Sequence, residues 1–162
     1  MTNPNDLPYR PCVGIMLLNR DGLVFVGQRH DMTEAAWQMP QGGIDPGETP
    51  REAALRELLE EVGSNDAEII AERDDWLSYD LPDHIRSKVW DGKYRGQTQK
   101  WIAMRFKGDD TAINIQTEHP EFNVWKWLPV PQLIDEIVAF KRPIYQQVID
   151  GFGHLAVQSL ND

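Results

Sequence analysis

The sequence predicts an α/β fold, with helices sandwiching a mixed β-sheet, and three observations predict it. Runs of strand length, rich in apolar, aromatic and β-branched residues, recur at residues 12–18, 23–26, 97–107 and 122–127. Segments with helical start and stop signals stand between and after them, the clearest at Pro50–Val62. The 162 residues, 41% of them hydrophobic, suffice for one core and one domain over 1–162, with no repeat or linker. Strands interleaved with helices around one core make such a layered fold.

The elements follow in order. The apolar run 12–18 meets the polar turn Asn19-Arg20-Asp21-Gly22 and then a second apolar run, and Asp-Gly in that setting predicts a β-hairpin. Residues 41–49 are rich in Gly and Pro and lead into the helix. Thr49 is its N-cap, Pro50 suits a first turn that needs no N–H, Glu52 closes a capping box, and Gly63 supplies the stop. Residues 67–71 and 76–79 read as short strands, and 81–95 as mostly loop, with Pro82, Gly92 and Gly96 as breakers. Strands at 97–107 and 122–127 come next. Residues 131–140 and 143–152 read as two helices separated by Lys141-Arg142-Pro143.

Composition excludes some functions. With 26 acidic against 16 basic residues the formal charge is −10, which repels a long polyanion, so binding along duplex nucleic acid is not expected. An anionic substrate must be met locally, by a few Arg and Lys or by cations held on carboxylates. The single cysteine, Cys12, permits neither an intrachain disulfide nor a zinc array. No basic leader precedes an apolar run, and no stretch approaches the roughly 18 apolar residues of a membrane span. A cytoplasmic protein, acting as a monomer away from the membrane, is expected. His30, His84, His119 and His154 show no ligand spacing and receive no role.

The helix carries the chemistry. At about 100° per residue, Leu55, Leu58, Leu59 and Val62 form the stripe expected to face the core. Glu57, Glu60 and Glu61 fall within an arc of about 100° on the other side, beside the small Ala53 and Ala54. Like charges at these spacings cost roughly 0.2–0.5 kcal/mol per pair, and Arg56 offsets only part of that. Two readings fit the helix alone: an ordinary solvated acidic face, or a site for a hard divalent cation, which prefers carboxylate oxygens.

Gly42, five residues, Glu48, seven residues, then Arg56-Glu57-Leu58-Leu59-Glu60-Glu61-Val62-Gly63: this pattern resembles the Nudix box of the Nudix hydrolases, here residues 42–64. Every fixed polar and glycine position is present. The departure is Ser64, where the family usually has an aliphatic residue, and it concerns loop packing more than metal chemistry. The resemblance implies a Nudix-type α/β/α sandwich with a central mixed β-sheet, the box forming a loop, a helix and a loop. It implies that Glu57, Glu60 and Glu61 bind Mg2+ or Mn2+, and that Glu48 and Arg56 brace the loop against the helix.

Similarity extends nearly end to end. Tyr9-Arg10-Pro11-Cys12, Trp37-Gln38-Met39-Pro40-Gln41-Gly42-Gly43-Ile44, Gly96-Gln97-Thr98-Gln99-Lys100-Trp101, Pro120-Glu121-Phe122 and Phe140-Lys141-Arg142 resemble one branch of the family. That branch holds bacterial RNA 5′-pyrophosphohydrolases and the asymmetric diadenosine tetraphosphate hydrolases of plants. The resemblance implies that Glu121 is a fourth acidic ligand or a base, that Arg10 and Arg29 face phosphates or a base, and that Phe140 and Lys141 hold a nucleobase. Gln41, Gln97 and Lys100 join them as candidate substrate contacts. Residue chemistry alone leaves alternatives open: a plain turn at Gly42-Gly43, a core position for Phe140, a solvated strand face for Gln97, Gln99 and Lys100.

The expected activity is metal-dependent hydrolysis of phosphoanhydride bonds. Removal of pyrophosphate from 5′-triphosphorylated RNA is favoured over cleavage of diadenosine tetraphosphate to ATP and AMP. A non-catalytic nucleotide-sensing module is disfavoured, because such modules lose box glutamates that this chain keeps.

Overall fold

The computed structural model describes residues 6–29, 37–86, 88, 90–117 and 120–156. Eight strands form one mixed sheet: β1 (Tyr9–Leu18), β2 (Val24–Arg29), β3 (Trp37–Gln38), β4 (Gln41–Gly43), β5 (Ala67–Glu72), β6 (Leu77–Asp80), β7 (Gly96–Phe106) and β8 (Phe122–Leu128). β1 and β7 run parallel at the centre, paired from Tyr9↔Gly96 to Leu18↔Arg105. The remaining pairings are antiparallel: β4 and β2 on β1, β5 and β6 on β7, β3 and β8 on β2. The predicted hairpin forms, with the Asn19 side chain accepting from the backbone N–H groups of Asp21 and Leu23 and with Gly22 at φ 79°. That conformation is the one glycine adopts without steric cost.

Burial on both faces explains the unbroken apolar run of β1. Val13, Ile15 and Leu17 point to one face, where Ile102, Met104 and Phe106 of β7 join Ala53, Ala54, Leu58 and Val62 of helix α1 (Pro50–Val62). Met16 and Leu18 point to the other, with Trp101 and Ala103, beneath a layer built on two further helices. A short turn, α2 (Asp83–Arg86), lies in the segment predicted as loop; α3 (Leu133–Glu136) and α4 (Arg142–Phe152) cover the second face. The result is the expected α/β/α sandwich.

Three expectations change. Residues 131–140 are not one helix: a 3-10 turn at Val130–Gln132 leads into the single turn of α3, then Ile137 and Val138 are extended before a second 3-10 turn at Ala139–Lys141. Ile137 is buried in the core, so tertiary packing overrides the helical pattern there. Gln41–Gly43, read as part of a Gly- and Pro-rich loop, pairs with β1 as a strand.

The third change concerns α1, whose cap, capping box and Gly63 stop are as predicted. Leu59 is 49% exposed and Leu55 half-buried, whereas Glu61 is only 3% exposed. The buried arc is rotated from the leucine stripe by about one residue step, roughly 100°. Small side chains at Ala53 and Ala54 let the helix sit close on the sheet, and its glutamate edge turns inward toward β4.

Candidate active site

The site forms where α1 passes the free edge of β4. Antiparallel pairing uses one edge of β4 on β1, and on the other edge the Gln41 N–H donates to the buried carboxylate of Glu61 at 3.1 Å. A Cβ on Gly42 would overlap the Glu57 carboxylate, and one on Gly43 would meet the Arg10 guanidinium. Both glycines are therefore required by close approach, not by backbone conformation.

A cavity of about 240 Å3 opens there. Four carboxylates line it, those of Glu57, Glu60, Glu61 and Glu121, together with Arg10, Arg29, Gln41, Gln97 and the two glycines. Three of the acids come from α1, and Glu121 arrives from the residue before β8, where it meets Arg29 at 3.3 Å. So ten of the residues singled out in the sequence converge on one space.

Arg56 braces the wall. Its Nε donates to Glu48 Oε2 at 2.7 Å and its Nη2 to Glu48 Oε1 at 2.9 Å, while Nη2 also donates to the Gly43 carbonyl. Its Nη1 reaches Glu57 at 2.8 Å and Glu60 at 3.2 Å. One guanidinium thus ties the loop, the strand and the helix together, a geometry suited to its planar fork. Hydrogen bonds from Arg56 and from the Asp45 N–H hold the Glu48 carboxyl down at about 2.

The interior acids behave oppositely. Burial pushes the Glu57 carboxyl up to about 7 against the pull of Arg56, with Glu60 and Glu121 adding like charge. Burial raises Glu61 well above the usual range as well, with Glu57 and Glu121 contributing. Arg56 and Arg29 offset only part of the burial and like charge at these two carboxylates. A hard divalent ion fits such a donor set, so the residues present suit one. Each of the four carboxylates meets an N–H group, and among the described residues no three acidic, His or Cys side chains converge on one point.

Other sequence-predicted residues lie elsewhere. Lys100 donates to the Asp74 carbonyl at 3.0 Å, lies near Glu72 and does not line the cavity. It is three residues from Gln97, and the strand pleat sends residues of opposite parity to opposite faces. Lys141 is buried and donates to Gln38 Oε1, and Phe140 packs on Tyr79 with ring centroids 5.9 Å apart. Tyr79 in turn is the register partner of Gln97 across β6 and β7, so this aromatic pair lies one strand from a cavity-lining residue. Gln99 and Trp101, absent from the predicted set, hold Gln41 and Gln97 in place; the period-2 spacing 97, 99, 101 was the available signal.

Comparison with known proteins decides the family. The NUDIX domain profile matches residues 8–148. The chain belongs to the Nudix family. Among curated Nudix relatives, an RNA pyrophosphohydrolase of Roseobacter denitrificans is 62% identical over 148 residues, covering 90% of this chain and 92% of that protein. One from Cereibacter sphaeroides is 54% identical over 157 residues, covering 95% and 97%. Among solved structures, the E. coli dihydroneopterin triphosphate pyrophosphohydrolase superposes with a TM-score of 0.67 at 22% identity, over 89% of this chain and 99% of that one, a likeness of fold. Nudix hydrolases generally use divalent cations. Among the described residues no helix is long and apolar enough to cross a membrane.

Proposed function

We propose that this Nudix hydrolase removes pyrophosphate from the 5′ end of triphosphorylated RNA. The observation that carries the reading is the cavity in which Glu57, Glu60, Glu61 and Glu121 face Arg10 and Arg29, in a chain more than half identical to RNA pyrophosphohydrolases. Acids and guanidinium groups lining one cavity suit a polyphosphate that carries its own cation.

Glu60 and Glu61, with Glu121 and Glu57 beside them, would hold Mg2+ or Mn2+. Such an ion, when bound, neutralises charge on the polyphosphate and lowers the pKa of a water. Arg10 and Arg29 bind phosphate oxygens and orient the chain in line with the incoming water. Glu57 takes the proton from that water, with Glu121 as the competing base. The water oxygen bonds to phosphorus, the anhydride bond breaks, and pyrophosphate leaves a 5′-monophosphate. Phe140, half-buried against Tyr79, offers its ring to the first nucleobase, and only unpaired nucleotides could present one.

The deciding experiment compares pyrophosphate release from a triphosphorylated oligoribonucleotide with cleavage of diadenosine tetraphosphate at equal concentration and with Mg2+. The RNA is expected to be turned over with the higher kcat/KM. A higher value for the dinucleotide would overturn the assignment. An Arg29→Ala variant should raise KM for RNA at least about tenfold, the usual loss when a charged hydrogen bond is removed.

A further inference from the structure

One face of β7 carries Gln97, Gln99 and Trp101, at alternate positions and all buried, and β4 brings Gln41 alongside. The Trp101 indole Nε1 donates to Gln99 Oε1 at 2.9 Å. Gln99 Nε2 donates to Gln97 Oε1 at 2.7 Å and to Gln41 Oε1 at 3.2 Å. Gln41 and Gln97 line the carboxylate cavity; Gln99 and Trp101 do not.

Polarity in this chain has a single source. A glutamine amide can present either its oxygen or its nitrogen, but an indole N–H can only donate. Gln99 must therefore turn its oxygen to Trp101, which leaves its two N–H bonds for groups that accept. Gln97 and Gln41 meet them with their carbonyl oxygens, and their own Nε2 atoms are left pointing away. Gln97 Nε2 has no protein partner among the described residues.

Trp101 cannot swing to release the chain. Its ring lies over Gly14, where a Cβ would overlap it, and meets the Tyr145 ring edge-on at 5.6 Å. Tyr145 is itself fixed by accepting from the Met39 N–H at 2.8 Å. Core packing thus sets which atom of each glutamine faces the substrate.

We infer that Trp101 and Gln99 are positioning residues that fix the polarity of Gln97, so that this part of the cavity wall presents an N–H donor to phosphate oxygens, which only accept. This deepens the polyphosphate reading of the site and rests on it. The relay makes that part of the wall suited to groups that accept. It also gives the site anion donors that add no positive charge beside the carboxylates.

The test uses the full chain with Gln99→Met, which keeps side-chain length but removes both donors and the acceptor, and Trp101→Phe, which keeps a ring but removes the N–H. Each variant is first checked for a cooperative melt. KM for triphosphorylated RNA is expected to rise about tenfold or more with Gln99→Met and several-fold with Trp101→Phe, with kcat changed much less. In a Gln97→Ala background the effect of Gln99→Met should shrink, because it acts through an amide already removed. Calorimetric binding of inorganic pyrophosphate with Mg2+ gives a second readout that does not depend on RNA being the substrate, and weaker binding by both variants is expected. If wild-type protein binds pyrophosphate but does not turn over RNA, the substrate assignment falls and the relay stands or falls on the pyrophosphate data. Folded variants with wild-type KM and pyrophosphate affinity, or additive effects of Gln99→Met and Gln97→Ala, would overturn the relay.

Discussion

Glu48 and Arg56 meet in a two-pronged ion pair, at 2.7 and 2.9 Å, which spans the loop before α1 and the helix itself. Lysine cannot reproduce that fork, since it places one point charge where two parallel donors are needed. Arg56→Lys is expected to lower the melting temperature and to reduce kcat/KM at least about tenfold, because Gly43 and Glu57 also lose their tether. Thermal denaturation and pyrophosphate release, measured side by side, check both; unchanged turnover would show that the brace does not position the acids.

Glu61→Gln separates stability from activity. The amide still accepts from the Gln41 N–H but no longer places a desolvated charge beside Glu57 and Glu121. With divalent ions chelated at pH 8, the variant should melt above wild type, while its turnover with Mg2+ falls by about 100-fold or more. A variant that is both less stable and fully active would contradict this assignment.

The pH dependence of the metal-free protein follows from Glu57. Its folded carboxyl, at about 7, lies above the ordinary value of 4.5, so between those pH values the folded protein holds a proton that the unfolded chain releases. This contribution to stability is complete below 4.5 and is lost as pH rises through 7, on the order of 3 kcal/mol by the linkage relation. Glu48 has the opposite sign: lowered to about 2, it stabilises above 4.5, and that contribution is lost as pH falls through 2. Urea titrations in chelator from pH 5 to 8 should show declining stability, and Glu57→Gln should flatten the decline. Adding Mg2+ should raise the midpoint more at pH 8 than at pH 5.

Gly42→Ala places a methyl group where the Glu57 carboxylate lies. The side chain can move aside, so the melting temperature is expected to change little. Activity with Mg2+ should fall at least about tenfold because the acid leaves its position. Wild-type kinetics from this variant would mean that Glu57 does not have to sit against β4.

Much of this was legible in the chain. Thr49, Pro50, Glu52 and Gly63 marked α1 to the residue, because caps are local chemistry between near neighbours. Glu57, Glu60 and Glu61 were legible through helical spacing, and the brace of Glu48 and Arg56 through the resemblance of the segment to the Nudix box. The inward rotation of α1 was not: four leucine and valine side chains outvoted two alanines in the periodicity, although the alanines allowed the closest approach. Lys100 and Gln97 were taken together although their odd separation already placed them on opposite faces of β7. The extended break at Ile137 and Val138 depends on core contacts that no local pattern records.

The sequence alone determined the helix, its caps and the three acids that it carries, since those depend on residues within a few turns of one another. Tertiary structure decided which acids are desolvated, which cations reach them and which atom of each glutamine faces the cavity. Those properties arise only when β4, α1, β7 and the residue before β8 are brought within a few ångströms, where burial and a one-way indole donor set charge and polarity.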